Sequence, residues 1–537
     1  MIMNKSLNFT EIGIYSVKLS QNIISEILDK LYDMNDSIAY IADFDYEYQL
    51  ENTRAPDHNI YRMEQIAKNF VTNTCISDEI KYLLTTESSR SANCDLTKRY
   101  CNMRLYNYLR KHVVFGKWKG FQAKPAEQQL MEQAATILAQ YLQPEKDIFY
   151  SRIKTSLNTI AQNARNLLRK KYPDHSIFGT SAENFSYWEN NNINDNYWDE
   201  AEGTQIMDTL QEYIFGELNF RINQKEDDDE LKQYCIDNVL ENKYGDDNII
   251  LTIYHSVARR LGLRCDIIET NGEMCIFWKP KYATNSLENV RCFYISFDKF
   301  PANLIEMSFS EPSEYYRMSA SELIEDILDK SDNFYWKNNI LKMPSKVILL
   351  SSLSICKNEK RGAFKFSKLN QSIGRPNNIK FVVGMIVKHN KNESHESTNG
   401  IRGVIVGWHK NKFGLKKIFY SDSYQFGHKI IFYCYLRPFN TYSYYAFLEA
   451  STYEQPHYII LTEKNTLCFI NEDALTLTTG WVENYEIGRY FCKFEDTHYV
   501  PNKMMAELYP HDAAIIEEKN NIKYGIQMAN YKHKRSN

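Results

Sequence analysis

At 537 residues, the chain is longer than one hydrophobic core usually supports, and its length predicts about three or four domains. The net charge of -4 gives the whole protein no attraction to nucleic acid or to an anionic membrane surface. Only 20 residues are glycine, and the sequence contains no glycine-rich nucleotide loop or nucleophile-elbow motif.

The eleven cysteines are odd in number and none forms a Cys-x-x-Cys pair, so neither a disulfide framework nor a zinc ribbon is expected. The N-terminal segment lacks the apolar core of a signal peptide. The most apolar stretch, Val347 to Ile355, is far shorter than the roughly 20 residues that span a bilayer. We therefore expect a protein of the cytoplasm, the nucleus or both, with no membrane contact, no metal and no cofactor.

Residues 1–95 are predicted to be helical. Within residues 18–36, apolar side chains recur at spacings of three and four, as they do on a helix with one apolar face. This apolar stripe comprises Leu19, Ile23, Ile24, Ile27, Leu28 and Leu31.

A helical domain is predicted over residues 96–187. Its last long helix is YSRIKTSLNTIAQNARNLLRKK, whose final residues Arg169, Lys170 and Lys171 are cations suited to a helix C-terminus. Pro173 then stops this helix, because proline cannot continue it.

An α+β domain is predicted over residues 188–309. It begins with WENNNINDNYWDEAEG, an asparagine-rich stretch without periodicity that indicates a loop or linker. The run DNIILTIYHSVARRLGL follows as a buried helix that Gly262 closes in the left-handed conformation. Two strand-like runs, CDIIET and EMCIFWK, are separated by Asn271-Gly272, which is typical of a tight hairpin turn.

Residues 310–379 are predicted to form a helical segment and a linker, and Ser319 and Glu322 have the spacing of a capping box at the helix start. Between residues 380 and 515 the pattern changes to five short β-branched and aromatic runs, which predicts a small barrel or curled sheet. Residues 516–537 form a C-terminal tail. The predicted fold class is therefore α+β.

Four segments of the C-terminal domain carry motifs that occur in a characteristic order. They are Val383 to His389, Arg402 to Trp408, Gln455 to Tyr458 and Gly488 to Asp512. In this order they resemble the YccV-like domain, also called the hemimethylated-DNA-binding-protein domain, and the resemblance implies a small β-barrel. The matching residues are Gly384, His389, Arg402, Gly403, Gly407, Trp408, Gln455, Pro456, Tyr458, Gly488, Arg489, Tyr490, Phe491, Tyr499, Pro501, Asn502, Tyr509 and Pro510.

The aromatic residues of the last motif allow two interpretations. Tyr490, Phe491 and Phe494 are large apolar side chains that suit the closed end of a small barrel, and we expect Tyr490 and Phe491 to be buried. A nucleic-acid-binding surface is the alternative that the family name implies. Residues 381–520 hold 14 lysines and arginines against 16 aspartates and glutamates, which leaves no excess positive charge for phosphate contacts. One local basic group flanks Phe413 and comprises Lys410, Lys412, Lys416 and Lys417.

The run from Tyr244 to Trp278 resembles the transglutaminase-like core, which implies chemistry by a Cys nucleophile, a His base and an Asp. A match without gaps places Ile249 at the nucleophile, Glu273 at the His and Ser296 at the Asp. None of the three side chains can perform its role, so we expect a non-catalytic binding scaffold.

A relocated thiol site in this core is the alternative. Cys265 and Cys275 lie on strand-like runs, and Glu269 and Glu273 are close to them in sequence. His255 lies among apolar residues of the preceding helix, and we interpret it as a core histidine rather than a catalytic base.

The apolar stripe near the N-terminus resembles an F-box, the helical element that docks on the adaptor Skp1 of a cullin-RING ubiquitin ligase. Ser20 stands where an F-box normally has proline, and the tryptophan expected at its far end is absent, so this F-box is degenerate. Together, the three segments resemble F-box proteins in which a transglutaminase-like core precedes a YccV-like domain.

This resemblance implies a non-catalytic substrate-recognition subunit of a Skp1-cullin-F-box ubiquitin ligase, with Skp1, cullin and an unknown protein substrate as partners. Two alternatives from other classes remain. One is a hemimethylated-DNA-binding protein acting through the YccV-like domain, and the other is a transglutaminase- or protease-like enzyme.

Overall fold

The computed structural model describes residues 94–222, 230–270, 273–283, 290–295, 304–307, 317–337, 374–375, 377–389, 402–409, 423–426, 429–436, 441–447, 456–463, 467–484 and 486–521. The predicted F-box stripe, Ser296, Gln455 and the basic group around Phe413 lie outside these residues. The chain divides into two compact units, Arg110–Asn333 and Met1–Leu109 with Phe334–Asn537. Within the described ranges, no helix is both long enough and apolar enough to cross a membrane.

Helices dominate the first part of the described chain, with short strands after them. The helices are α1 Leu96–Gln122, α2 Met131–Leu142, α3 Tyr150–Lys171, α4 Ala182–Asn190, α5 Glu200–Gln211, α6 Ile236–Asn242, α7 Asp247–Arg260 and α8 Ala320–Lys337. The strands are β1 Arg221–Ile222, β2 Tyr244–Gly245, β3 Asp266–Thr270, β4 Glu273–Trp278, β5 Arg291–Ile295 and β6 Leu304–Met307.

Helix α3 has the bounds that its apolar periodicity predicts, and this prediction is confirmed. Its buried residues recur at spacings of three and four and are Ile153, Leu157, Ile160, Ala161, Ala164 and Leu168. Neighbouring α2 is buried along its length except at Gln133, so it forms the centre of the helical layer.

The asparagine-rich stretch between α4 and α5 is not a single loop or linker, as the sequence predicts, because helices occupy both of its ends. Trp188 and Trp198 are both about 3% exposed. The Nε1 of Trp198 donates to the carbonyl of Leu261 at 2.7 Å, and the Nδ2 of Asn196 donates to the carbonyl of Lys279 at 2.7 Å. Burial of tryptophan and these hydrogen bonds therefore make residues 191–198 an anchored part of the unit.

Helix α7 lies against a four-stranded antiparallel sheet with the order β3-β4-β5-β6. Gly262 follows α7 with φ +75°, which confirms the predicted left-handed closure. Thr270 pairs with Glu273, so β3 and β4 form the predicted hairpin. The capping box of α8 is also confirmed, since the Ser319 N–H donates to Glu322 Oε2 at 2.8 Å.

The unit of Met1–Leu109 with Phe334–Asn537 is called the C-terminal unit. Its described strands are β7 Ile386–His389, β8 Arg402–His409, β9 Ser423–Phe426, β10 Lys429–Leu436, β11 Thr441–Phe447, β12 His457–Thr462, β13 Leu467–Asn471, β14 Leu475–Leu477, β15 Phe491–Phe494 and β16 Tyr499–Pro501. Eight of them form a sheet with the order β14-β7-β8-β12-β13-β11-β10-β9, and β15 pairs with β16 in a separate sheet. Short helices lie beside β15 and β16 in sequence, α9 Ile487–Tyr490, α10 Lys503–Leu508 and α11 over residues 510–521.

The prediction of a closed small barrel is wrong for the described strands. The outer strands of the large sheet, β14 and β9, lie at opposite ends of its strand order, and no pairing joins them within the described residues. Closure requires hydrogen bonds between the first and last strands. A run of short strands in a sequence predicts that a sheet forms, but it does not determine whether its edges meet.

Candidate functional site

The candidate site is the N-terminal end of α7, where the transglutaminase-like resemblance places the nucleophile. Asp246 caps the helix by accepting the Asn248 N–H at 3.1 Å, a standard role for aspartate at this position. Ile249 is fully buried within α7. A nucleophile needs a reactive atom that substrate can reach, and this position offers neither the atom nor the access.

The other two predicted triad positions are Glu273 and Ser296. Glu273 begins β4, and its backbone pairs with Thr270. Its side chain and Ser296 lie outside the described part of the structure. The arrangement of the three positions therefore stays a prediction.

Charged residues of α8 lie against the start of α7. Lys330 Nζ is 2.8 Å from Asp247 Oδ1 and 3.4 Å from Asp326 Oδ2. Burial lowers the pKa of Lys330, but the charges of Asp246 and Asp247 outweigh this and raise it. Burial and the Asp247 charge raise the pKa of Asp246 well above its usual range. These groups join α7 to α8.

A second charged cluster lies at the other end of α7 and is almost wholly buried. Arg259 Nη2 is 2.5 Å and Arg260 Nη1 is 3.0 Å from the same oxygen, Glu132 Oε1. Ser256 Oγ donates to Glu132 Oε2 at 3.0 Å. Burial raises the pKa of Glu132, but the two guanidinium charges reverse this and lower it to about 2. Glu132 is therefore ionised and neutralises part of the positive charge.

The two arginines also connect α7 to neighbouring segments. Arg260 Nε donates to Asn158 Oδ1 of α3 at 2.8 Å. Arg259 Nη1 donates to the carbonyl of Asn191 at 3.0 Å and to the carbonyl of Trp188. The sequence interpretation missed this cluster, although two adjacent arginines in a buried helix must find partners. We interpret the group as structural, since it links α7 to α2, α3 and the segment after α4, although Arg259 Nε and Arg260 Nη2 are buried without a hydrogen-bond partner within the described residues.

The alternative thiol site lacks an activated thiol. Burial and the neighbouring Asp266 raise the pKa of Cys265, which keeps it protonated. Cys275 and Cys292 are both fully buried, and a hydrogen bond from Cys275 lowers the pKa of Cys292. Burial lowers the pKa of His255 to about 4, so this imidazole is neutral. Buried thiols without solvent access do not provide a nucleophile for substrate.

The motif residues of the C-terminal unit build its core. Tyr490 is 2% exposed and Phe491 is 0% exposed, so their predicted burial is confirmed. Further motif side chains with little exposure are His389, Trp408, Pro456, Tyr458, Arg489, Tyr499, Pro501, Asn502 and Tyr509. Pro510 is exposed, and Arg402 is half-buried in an ion pair with Glu463.

The motif glycines permit close approach between segments. Gly384 has φ +95°, and a Cβ atom there would overlap the carbonyl oxygen of Tyr499. At Gly488, a Cβ atom would overlap the carbonyl oxygen of Leu96. Gly403 and Gly407 also leave no room for a side chain. These positions therefore require glycine for packing.

Asp512 links three segments of the C-terminal unit by hydrogen bonds and an ion pair, although the sequence interpretation gave it no role beyond ending a motif. Its Oδ2 accepts the Trp408 Nε1–H and the Val383 N–H, each at 2.8 Å. Its Oδ1 pairs with Arg375 Nη1 at 2.5 Å. A carboxylate at 1% exposure is stable here because every partner is a donor.

Within the described ranges, no group of three or more His, Cys, Asp and Glu side chains is arranged to hold a metal ion.

Comparison with known proteins gives two relationships. Residues 151–296 match the family described as Transglutaminase-like superfamily. This range contains the whole of α7 and begins earlier in the chain than the α+β domain that the sequence predicts. No solved structure is significantly similar to the chain.

The second relationship covers most of the chain. F-box only protein 21 of Pongo abelii is 20% identical over 492 residues, which is 82% of this chain and 74% of that protein. The Mus musculus protein of the same name is 20% identical over 82% of this chain and 75% of its own length. The Homo sapiens protein of the same name is 19% identical over 82% of this chain and 74% of its own length. The chain is therefore distantly similar to F-box only protein 21, and its residues 151–296 are similar to the transglutaminase-like superfamily.

Proposed function

We propose that this protein is a non-catalytic substrate-recognition subunit of a Skp1-cullin-F-box ubiquitin ligase. The observation that carries the proposal is the similarity to F-box only protein 21 along 82% of the chain. Buried Ile249 at the nucleophile position supports the non-catalytic part. Ubiquitin transfer would then be the work of partners, and this chain would bind the adaptor and an unknown protein substrate in the cytoplasm or nucleus.

The adaptor-binding element in this proposal is the apolar stripe of residues 19–31. Skp1 would cover its apolar face, and cullin would join through Skp1. The proposal is supported by the apolar spacing of the stripe, which leaves one face of the helix for a partner.

The C-terminal unit serves as a YccV-like module for protein contacts in this proposal. Support comes from the motif residues, which form its core rather than a surface for stacking nucleic-acid bases. DNA binding is the less favoured role, because residues 381–520 carry no excess of positive charge.

Co-precipitation of Skp1 and cullin with the full chain tests the adaptor role. Substituting Ile27→Asp with Leu28→Asp places two charges on the apolar face and should abolish the complex, since burying an unpaired charge costs several kcal/mol. The matched control, Asn22→Asp with Ser25→Asp, adds equal charge to the opposite face and should leave the complex intact. Equal recovery of Skp1 with all three proteins, each shown to be folded, would exclude the stripe as the adaptor site.

Labelling with an electrophilic acyl substrate tests the non-catalytic role separately. We expect no covalent acyl-enzyme on Cys265 or Cys275, because both thiols are buried. Mass spectrometry that finds an acylated Cys265 or Cys275 in the folded protein would contradict this role and favour the enzyme alternative.

A further inference from the structure

The second half of α1 and the segment after it carry an unusual excess of positive charge. Residues 110–131 contain five lysines and arginines and a single carboxylate, Glu127. The whole chain has a net charge of -4. This local reversal of sign creates a positive potential over one part of the surface.

Arg110 and Lys117 lie seven residues apart on α1, a spacing that returns to nearly the same side of a helix. Lys124 follows two residues after the end of α1 at Gln122. Lys117 Nζ donates to Gln140 Oε1 at 3.0 Å, and Lys124 Nζ donates to Gln133 Oε1 at 2.8 Å.

The two glutamines are themselves seven residues apart on α2. Seven residues of an α-helix rise about 10.5 Å, so the two glutamines follow one another along α2, each bonded to one lysine. We call Lys117 and Lys124 with their two glutamines the cationic seam.

Neither lysine of the cationic seam forms an ion pair within the described residues. Arg110 differs, because its Nη2 pairs with Asp147 Oδ1 at 2.9 Å. Lys117 and Lys124 instead contact neutral amide oxygens. Gln140 is fixed in that orientation, since its Nε2 donates to the carbonyl of Ile148 at 2.6 Å. Burial and the charge of Arg110 lower the pKa of Lys117, as expected where positive charge is not neutralised.

We propose that the cationic seam binds an acidic segment of a partner protein in an extended conformation. Carboxylates three residues apart on an extended chain are separated by about 10 Å, which matches the spacing of the two lysines. Each ammonium retains donors beyond its bond to glutamine. This surface is distinct from the predicted adaptor-binding stripe, and the proposal holds whether or not the partner is a ligase substrate.

Nucleic acid fits the cationic seam less well than an acidic peptide. The spacing of the two lysines does not separate the two classes, because three phosphate steps of about 3.4 Å also come to about 10 Å. Trp118 and Phe121, the aromatic residues beside Lys117 and Lys124, are each 1% exposed and therefore unable to stack on bases.

Fluorescence anisotropy with the full chain tests the proposal. The probe is a labelled peptide of repeated Glu-Gly-Ser, the same peptide with Gln for Glu is the neutral control, and a labelled DNA duplex is the competing polyanion. At roughly 0.05 M salt, where the screening length exceeds about 10 Å, the Glu peptide should bind and the Gln peptide should not. Lys117→Gln with Lys124→Gln should weaken binding about tenfold, because each exposed ion pair is worth up to roughly fivefold.

Lys119→Gln is the matched control. Lys119 is exposed on the same helix, two residues and so about 200° away from Lys117, and its Nζ lies 4.3 Å from the Phe115 ring centroid. This change should alter affinity by less than about twofold. Equal losses in both variants, or equal binding of the two peptides, would overturn the proposal. Duplex DNA that binds more tightly than the Glu peptide, and loses affinity only in the double variant, would assign the seam to nucleic acid instead.

Discussion

Glu132→Gln is the sharpest test of how the transglutaminase-like region is stabilised. The change preserves the shape of the side chain but removes the charge that two buried guanidinium groups share. Arg259 and Arg260 are 2% and 4% exposed, so neither can recover its hydration without opening the structure. Removing one partner from a buried ion pair typically costs about 3–5 kcal/mol of folding free energy.

The lowered pKa of Glu132 indicates a contribution of similar size to the folding free energy. Its value of about 2 against a usual 4.5 corresponds to roughly 3 kcal/mol of preference for the charged form in the folded state. Because the folded pKa is the lower one, this stabilisation is present above pH 4.5 and is lost as the pH falls toward 2.

Thermal unfolding at neutral pH measures the effect, with Glu127→Gln as the matched control. Glu127 is exposed and lies five residues away, so its change should alter stability by less than about 0.5 kcal/mol. For a unit of this size, about 1 kcal/mol shifts the melting temperature by about 2–4 °C. We expect a decrease of about 6–20 °C for Glu132→Gln. A melting temperature equal to that of the Glu127 variant would show that the cluster contributes no net stability.

Three further outcomes are expected. In chemical denaturation, Phe491→Ala should lower the unfolding free energy of the C-terminal unit by about 3–5 kcal/mol. The control Leu477→Ala should change the same free energy by less than about 0.5 kcal/mol, because the Leu477 side chain is 59% exposed. Gly384→Ala should cost about 1 kcal/mol or more, because φ is +95° and the new methyl group would overlap Tyr499; a protein as stable as wild type would refute the close approach. The pKa of His255 is about 4 in the folded state against a usual 6.5, so stability should fall by up to roughly 3 kcal/mol as pH drops through this window. His255→Gln should flatten that part of the pH profile, and an unchanged slope would assign the titration to other groups.

Periodicity in the sequence predicts those elements whose stability is local. The apolar spacing of α3, the Gly262 closure and the hairpin of β3 and β4 all depend on residues within a few positions of one another. Such patterns determine which face of an element is buried. Such patterns can therefore be recognised in the sequence without knowledge of tertiary contacts.

Elements that depend on distant partners were predicted less well. Residues 191–198 have the composition of a loop, yet Trp198 and Asn196 bond to carbonyls more than sixty positions away. The Glu132 cluster joins residues 127 and 128 positions apart, and no local pattern relates them. Burial of the aromatic motif could be predicted because large apolar residues gain most from leaving water. The open arrangement of the described strands in the large sheet could not be predicted, since the spacing of strand-like runs along the sequence does not determine the order in which strands pair.

In the proposed non-catalytic role, the transglutaminase-like region acts as a framework around α7. Ile249, at the position that the ungapped match assigns to the nucleophile, is an apolar side chain that packs at 0% exposure. Ion pairs of Lys330 hold the start of α7, and Glu132 holds its end. A helix fixed at both termini and buried between them is suited to a rigid scaffold, because binding surfaces gain affinity when little ordering is needed on association. A helix held in this way is consistent with the proposed recognition role, and the acyl-labelling experiment on Cys265 and Cys275 tests the enzyme alternative.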